Sequence, residues 1–214
     1  NGKERCRLIP DNYMVIGKAQ FLKHDFWTAL ETFQYVASTY KDNPKRFDGL
    51  IWQMQTQMQL GKMADAEYML DYLKNEKQLS SKYKPLFAAV AADFYLKKEN
   101  YPKAIEQLNK AAELATKRAD KIRYNYILAQ IYQKVDSNEK AFAIYRKVIK
   151  MNPEYEMAFN AKINRARSFD VNSADAQQVK DELNKMLKDE KNKDYLDQIY
   201  YALSGISMRE KDTT

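Results

Sequence analysis

Apolar and polar positions follow a helical period along nearly the whole chain, and one pattern recurs at regular intervals. Four amphipathic stretches open with an alanine that is followed four positions later by a large apolar residue; they start at Ala29, Ala66, Ala104 and Ala141. The intervals are 37, 38 and 37 residues. A turn pair begins five positions before each alanine: His24-Asp25, Gly61-Lys62, Glu99-Asn100 and Asp136-Ser137. The pattern predicts four successive helical hairpins.

The repeated residues suit close packing between helices. Small or flexible residues stand twelve positions before each alanine, at Gly17, Met54, Ala92 and Ala129. The large residues after each alanine, Phe33, Leu70, Leu108 and Tyr145, fill the space to the next hairpin. The pattern resembles the tetratricopeptide (TPR) repeat, which implies an all-α, right-handed superhelical solenoid of helix hairpins. The residues beyond the usual repeat length are expected in helix ends or loops, as at 41–45 and 77–82.

The repeat becomes less regular after Pro153. We expect an N-terminal lead over residues 1–10, four TPR hairpins over 11–153, and a fifth, irregular hairpin over 154–192. The second helix of that hairpin is predicted from Ala174, with Ser173 as its N-cap and a loop before it at 169–172. A polar linker is expected at 189–194. Residues 193–214 are expected to form one helix and a tail, the helix being either a cap or the first helix of a truncated repeat.

Composition excludes several kinds of chemistry. The 214 residues contain one cysteine and one histidine, so an intramolecular disulfide is impossible and a four-ligand Cys/His zinc site cannot form. His24 lies in a predicted turn without a partner of fixed geometry, and no Gly-rich phosphate loop occurs. We therefore expect no enzyme activity, cofactor or metal. The net charge of +7 permits acidic partners, but interspersed lysines and glutamates are typical of a solvated surface, and nucleic acid is not expected.

Several strings resemble a more particular group. They are 11–19 (DNYMVIGKA), 126–134 (YILAQIYQK), 152–166 (NPEYEMAFNAKINRA), 186–192 (MLKDEKN) and 197–203 (DQIYYAL). They are similar to the TPR region of the PorW/SprE lipoproteins of type IX secretion and gliding motility in Bacteroidetes, from about Asp11 to Ile206. The resemblance implies a periplasm-facing outer-membrane component that helps to assemble or couple the secretion machinery.

The sequence shows no membrane anchor of its own. Cys6 follows Lys3, Glu4 and Arg5 rather than an apolar stretch, so it does not fit a lipidation site. No apolar run is long enough to span a membrane. Membrane association is therefore expected only through a lipid anchor outside this sequence.

The first helix of each TPR hairpin lines the concave groove, which gives a set of candidate partner-binding residues. The amides in this set suit bonds to the main chain of an extended peptide, and the cations suit its acidic side chains. The alternative is that they are ordinary polar surface residues. The predicted groove residues are Lys18, Phe21, Gln55, Gln59, Asp93, Lys97, Arg123, Tyr126, Gln130, Gln133, Lys134, Asn160, Asn164 and Arg167.

Two functions remain open from the sequence. The first is a non-enzymatic scaffold that binds other proteins of the envelope secretion or motility machinery. The second is a cytoplasmic TPR sensor or regulatory module that binds a peptide or nucleic acid. The clamp by which some TPR domains bind the C-terminal carboxylate of chaperones is not expected, because Met14 and Trp52 occupy two of its positions.

Overall fold

The computed structural model describes residues 8–169 and 176–211, and these residues form helices and turns without a strand. Cys6, most of the N-terminal lead, the loop residues 170–172, Ser173 and Ala174 lie outside the described residues. The chain divides after Leu114 into two compact units. Unit 1 contains α1 (Ile9–Leu22), α2 (Phe26–Thr39), α3 (Lys45–Gln59), α4 (Met63–Asn75), α5 (Lys84–Lys97) and α6 (Tyr101–Leu114). Unit 2 contains α7 (Arg118–Lys134), α8 (Asn138–Lys150), α9 (Tyr155–Arg167), α10 (Ala176–Leu187), a 3-10 helix (Glu190–Tyr195) and α11 (Leu196–Lys211).

The four predicted turns between paired helices are confirmed, and they share one backbone geometry. Their first residues have a left-handed φ: 62° at His24, 73° at Gly61, 55° at Glu99 and 56° at Asp136. In each turn the next residue donates its backbone N–H to a carbonyl five residues back, as Asn100 does to Tyr95 at 2.8 Å. This is the Schellman ending, which satisfies carbonyls that the preceding helix leaves free.

The small residues predicted at the helix contacts are buried. Ala29, Ala66, Ala104 and Ala141 each have no exposed surface. The large residues four positions later, Phe33, Leu70, Leu108 and Tyr145, are buried as well. The sequence pattern therefore identified the packing positions correctly, and the predicted fold class of TPR-like helical hairpins is confirmed.

The described residues of unit 1 include two large apolar clusters. One is centred on Ile51, Met54 and Phe94, and the other on Met14 and Phe33. Trp52 links α3 to the second cluster, with its ring centroid 5.7 Å from that of Phe33. Gly49 allows α2 and α3 to approach closely, because a Cβ at this position would lie 3.1 Å from the Phe33 carbonyl oxygen. Trp27, on α2, is 60% exposed, and the Lys62 ammonium lies 4.5 Å from its ring centroid.

The extra residues expected near 77–82 lie in the connection from α4 to α5. Eight residues, 76–83, separate these helices, whereas five separate α2 from α3. Leu79 and Tyr83 fold back from the connection into the core of unit 1. Burial raises the pKa of the Tyr83 phenol.

In unit 2, α11 is joined to the end of α9 by hydrogen bonds. The Arg209 guanidinium donates to the carbonyls of Ala166, Arg167 and Phe169 at 2.9–3.1 Å, so it satisfies the carboxyl end of α9. The predicted polar linker at 189–194 is instead mostly a 3-10 helix with a buried asparagine. The amide of Asn192 donates to the Met186 carbonyl at 2.8 Å and accepts from the Tyr155 hydroxyl at 2.5 Å. Within the described ranges, no helix combines the length and apolarity needed to cross a membrane.

Candidate functional site

The predicted groove residues on α1 are engaged within unit 1. The Lys18 Nζ lies 3.2 Å from the carboxylate of buried Asp48 and 5.2 Å from the centroid of the Trp52 ring. Phe21 packs edge-on against the same ring, with a centroid distance of 5.3 Å. These contacts tie α1 to α3. The charge of Lys18 is thus compensated within the molecule.

A polar contact joins the first helices of the next two hairpins. The Gln55 side-chain amide on α3 donates to the Asp93 carboxylate on α5 at 2.9 Å. Both side chains are half-buried, whereas Gln59 and Lys97, one turn further along the same helices, are exposed. Gln59 and Lys97 therefore remain accessible, while the Gln55 amide is already used in part.

A corresponding contact occurs in unit 2. The Asn164 amide on α9 donates to the Tyr126 hydroxyl on α7 at 3.4 Å, again across 38 residues. Burial raises the pKa of Tyr126, and the hydrogen bond from Asn164 opposes that rise. In both units, side chains on successive first helices are therefore linked directly.

Gln133 has a structural partner on α8. The hydroxyl of fully buried Tyr145 donates to the Gln133 amide oxygen at 3.1 Å, and the Tyr145 and Tyr126 rings meet edge to face at 5.8 Å. Burial is the main cause that raises the pKa of Tyr145 far above its ordinary value, and the neighbouring Tyr126 adds to it. Both phenols stay neutral at physiological pH.

A pocket of about 710 Å³ opens at the amino ends of α7 and α9. Three predicted groove residues line it: Arg123, Tyr126 and Asn160. The remaining lining is Arg118, Ala119, Ile122, Asn152, Pro153, Glu154, Glu156 and Met157. Pockets of this size, apolar with a few polar groups, are typical of ligand sites.

Arg118, Ile122 and Met157 were not predicted as site residues. Ile122 and Met157 lie near the amino ends of two successive first helices, at positions for which the repeat pattern predicts no site residue. Arg118 donates to the Asn152 carbonyl at 3.2 Å and to the Met151 carbonyl at 2.5 Å, so it orders the corner before α9. That role depends on a corner that the repeat pattern does not describe.

The other predicted residues of unit 2 lie on the surface. Gln130 and Lys134 are exposed on α7. Arg167 is exposed at the end of α9, where its guanidinium lies 5.4 Å from the centroid of the Tyr201 ring on α11. The stacking holds a cation in place beside an exposed aromatic ring, an arrangement common in protein-binding surfaces.

The arrangement suits binding of another protein segment. Each unit presents amides, aromatic rings and charged groups along its first helices. Among residues 8–169 and 176–211, no three His, Cys, Asp or Glu side chains come together in a way that would hold a metal ion.

Comparison with known proteins supports the TPR interpretation. Residues 122–155 match the model of a tetratricopeptide repeat family. No curated protein sequence matches the chain significantly.

Solved TPR structures resemble the chain over most of its length. MamA is 21% identical with a TM-score of 0.58, covering 89% of this chain and 97% of its own. Kinesin-light-chain-type TPR-like repeats from Podosopora anserina are 14% identical with a TM-score of 0.62, covering 97% of each chain. A thermophilic TPR protein from Thermus thermophilus is 15% identical with a TM-score of 0.53, covering 92% of this chain and 98% of its own. At these identities the likeness shows the fold alone.

Proposed function

We propose that this chain is a non-enzymatic scaffold that binds segments of other proteins along its first-helix surfaces. TPR-repeat proteins are generally scaffolds of this kind. The observation that carries the proposal is the pocket between α7 and α9. Its apolar residues, Ile122 and Met157, suit an inserted apolar side chain, and exposed Arg123 suits an acidic residue beside it.

We further infer that the partners are envelope components of type IX secretion or gliding motility. The support is the sequence resemblance to the PorW/SprE group. One of its strings, 126–134, lies on α7, and another, 152–166, covers the corner before α9 and most of that helix. These two helices form the pocket. The scaffold then works on the periplasmic side of the outer membrane, attached through a lipid anchor outside this sequence.

A capture experiment tests both levels of this proposal. The immobilised chain is incubated with a detergent-solubilised envelope extract and, separately, with a cytosolic extract of the source organism. We expect secretion or motility proteins to be retained at moderate salt. We expect the triple variant Arg123→Ala, Gln130→Ala, Arg167→Ala to lose them.

The matched control is the triple variant Lys147→Ala, Asn184→Ala, Lys188→Ala. It likewise removes two cations and one amide, here two lysines and an asparagine, from exposed positions of unit 2 outside the predicted groove. Equal loss in both variants would contradict a groove site and leave only a dependence on net charge. Capture limited to cytosolic proteins or nucleic acid, with a steep salt dependence, would contradict the envelope role.

A further inference from the structure

A second cavity lies in unit 1, away from the predicted groove residues. It has a volume of about 440 Å³ and is enclosed by α4, α5 and α6. Its walls come from the second helices of two successive hairpins, α4 and α6, and its floor comes mainly from α5. None of the predicted groove residues lines it.

The long α4–α5 connection explains why this space exists. Between α2 and α3 the connection is short, and Gly49 brings the two helices into close contact. Between α4 and α5, the eight residues 76–83 intervene, and Leu79 from this segment becomes part of the cavity lining. The repeat insertion therefore separates neighbouring helices instead of only enlarging a surface loop.

The cavity has an apolar interior. Leu70, Leu73 and Ala91 are buried in its lining. Phe87 and Tyr95 are half-buried, and Leu114 is 47% exposed at the end of α6. An apolar surface that is partly open to water is stabilised when a partner covers it.

The rim of the cavity is basic. Lys74, Lys77, Lys84, Lys103 and Lys110 line it together with two glutamates. Both glutamates already have partners. Glu76 accepts from the Tyr72 hydroxyl at 3.2 Å and faces Arg46 at 3.6 Å, and Glu106 pairs with Lys110 at 2.6 Å.

The rim lysines outnumber the two glutamates, and Lys74 and Lys103 share the carboxylate of Glu106 with Lys110, which also pairs with it directly. Among the residues that the structure describes, no carboxylate lies within ion-pair distance of Lys74, Lys77 or Lys84. Lys103 lies over the Tyr95 ring at 5.4 Å, so its ammonium stands at the edge of the apolar surface. An occupant with negative charge on its borders would complement this rim.

The distribution of the lysines indicates the form of the occupant. Lys74 belongs to α4 and Lys77 follows its end, Lys103 and Lys110 belong to α6, and Lys84 begins α5. The lining of α6 extends from Lys103 to Leu114, which is about three helical turns or roughly 16 Å. A small amphiphile with one anionic head would meet the lysines at one end only, whereas a helix with acidic residues on both borders meets both walls.

We propose that this cavity is a docking site for an acidic amphipathic helix of a partner protein. Apolar side chains of the partner at positions i, i+4 and i+7 enter the space between α4 and α6, and flanking Asp or Glu side chains pair with the rim lysines. This surface is separate from the first-helix groove, so one chain has two surfaces for two protein segments.

The test is an unbiased selection followed by a charge reversal. A library of helix-forming peptides of roughly 20 residues, randomised at surface positions, is selected against the intact protein. We expect the selected peptides to carry an apolar stripe bordered by acidic residues. Their dissociation constants, measured by fluorescence anisotropy, are expected to rise about tenfold or more with Lys74→Glu, Lys77→Glu.

The control variant is Lys23→Glu, Lys41→Glu, which makes the same change in net charge at exposed lysines elsewhere in unit 1. It is expected to change the dissociation constant less than about twofold. Leu114→Ser, at an exposed position of the cavity, tests the apolar contribution and is expected to weaken binding without loss of helical content.

Three results would overturn the proposal. One is a selection without acidic enrichment. Another is equal weakening by the cavity and control variants. The third is saturable binding of dodecanoate that depends on Lys74 and Lys77 while no selected peptide competes with it, which would assign the cavity to an acyl carboxylate.

Discussion

Glycine occupies only one of the four left-handed positions in the predicted hairpin turns, and Asn152 is a further described residue with a left-handed φ. Gly61 has no neighbouring atom within 4 Å of where a Cβ would stand, so its role is purely a matter of backbone conformation. His24, Glu99 and Asp136 adopt the same conformation with a side chain, which costs roughly 1–2 kcal/mol for an ordinary residue. The fold therefore contains small, removable sources of strain at defined residues.

We expect Glu99→Gly and Asp136→Gly to raise the free energy of unfolding. The gain should be about 0.5–1 kcal/mol each, because relief of the left-handed conformation is partly offset by the greater entropy of glycine in the unfolded chain. Gly61→Ala, in the equivalent turn, should lower stability by about 1 kcal/mol. Urea unfolding followed by circular dichroism measures all three. Stabilities that fall in the two glycine variants would contradict the strain argument.

Tyr145 should make stability depend on alkaline pH. Its pKa is raised in the folded state, so folding favours the neutral phenol. This contribution is complete below the ordinary tyrosine pKa of about 10 and is lost as the pH rises above it, because the unfolded chain ionises first. The intact protein should therefore lose stability above this pH.

The variant Tyr145→Phe separates this effect from simple packing. At neutral pH it should cost about 1 kcal/mol through loss of the hydrogen bond to Gln133. Above the tyrosine pKa its disadvantage should shrink or reverse, while Tyr200→Phe, at an exposed position, should show no such change. Urea unfolding at neutral and strongly alkaline pH measures the difference. A stability difference between the intact protein and Tyr145→Phe that stays the same at both pH values would contradict the prediction.

At the level of elements, the alanine at the head of each second helix determines how closely the two helices of a hairpin pack. Ala141 is fully buried, whereas Ala143, two residues later on α8, faces solvent. We expect Ala141→Glu to destabilise the protein by several kcal/mol, through overpacking and an unpaired buried charge. Ala143→Glu adds the same side chain on the same helix and should leave the melting temperature nearly unchanged. A stable Ala141→Glu variant would mean that the hairpin packing is wrong.

The helices and their packing positions could be predicted because the same packing constraint recurs in each repeat. Ala29 and Ala141 occupy equivalent positions, so each supports the interpretation of the other. The 3-10 helix around Asn192 occurs once, and its stability depends on bonds from Tyr155 and to Met186 that no repeat position encodes. No local pattern predicts such a contact, and a polar stretch therefore looked like a linker.

The candidate site residues likewise include some that the repeat pattern predicts and some that it does not. Arg123, Tyr126 and Asn160 were predicted from their place in the repeat, and the structure brings them to one pocket. Arg118 was missed, since its role depends on the corner at Met151 and Asn152. The cavity of unit 1 was also missed, because the length of the 76–83 segment predicts an insertion but not the space that it opens. Whether the groove residues bind a partner stays a prediction.

For the whole molecule, the division after Leu114 has consequences for folding. Unit 1 has a core around Ile51 and Phe94, and unit 2 has cores around Tyr145 and Leu183. We expect the fragments 1–114 and 115–214 to fold separately, each with high helical content and a cooperative thermal transition. Circular dichroism of the purified fragments measures this. A fragment without a cooperative transition would show that its core is insufficient alone.

The two tryptophans give the intact chain an optical asymmetry. Trp27 and Trp52 are the only tryptophans of the sequence, and both lie in unit 1. Trp52 is packed among Phe21, Phe33 and Lys18, so its emission should shift when that cluster opens. Light that excites tryptophan alone therefore reports on one unit, while circular dichroism reports on the helices of both. In the intact protein, the separation between the denaturation curves from tryptophan fluorescence and from circular dichroism measures how far the two units unfold as one.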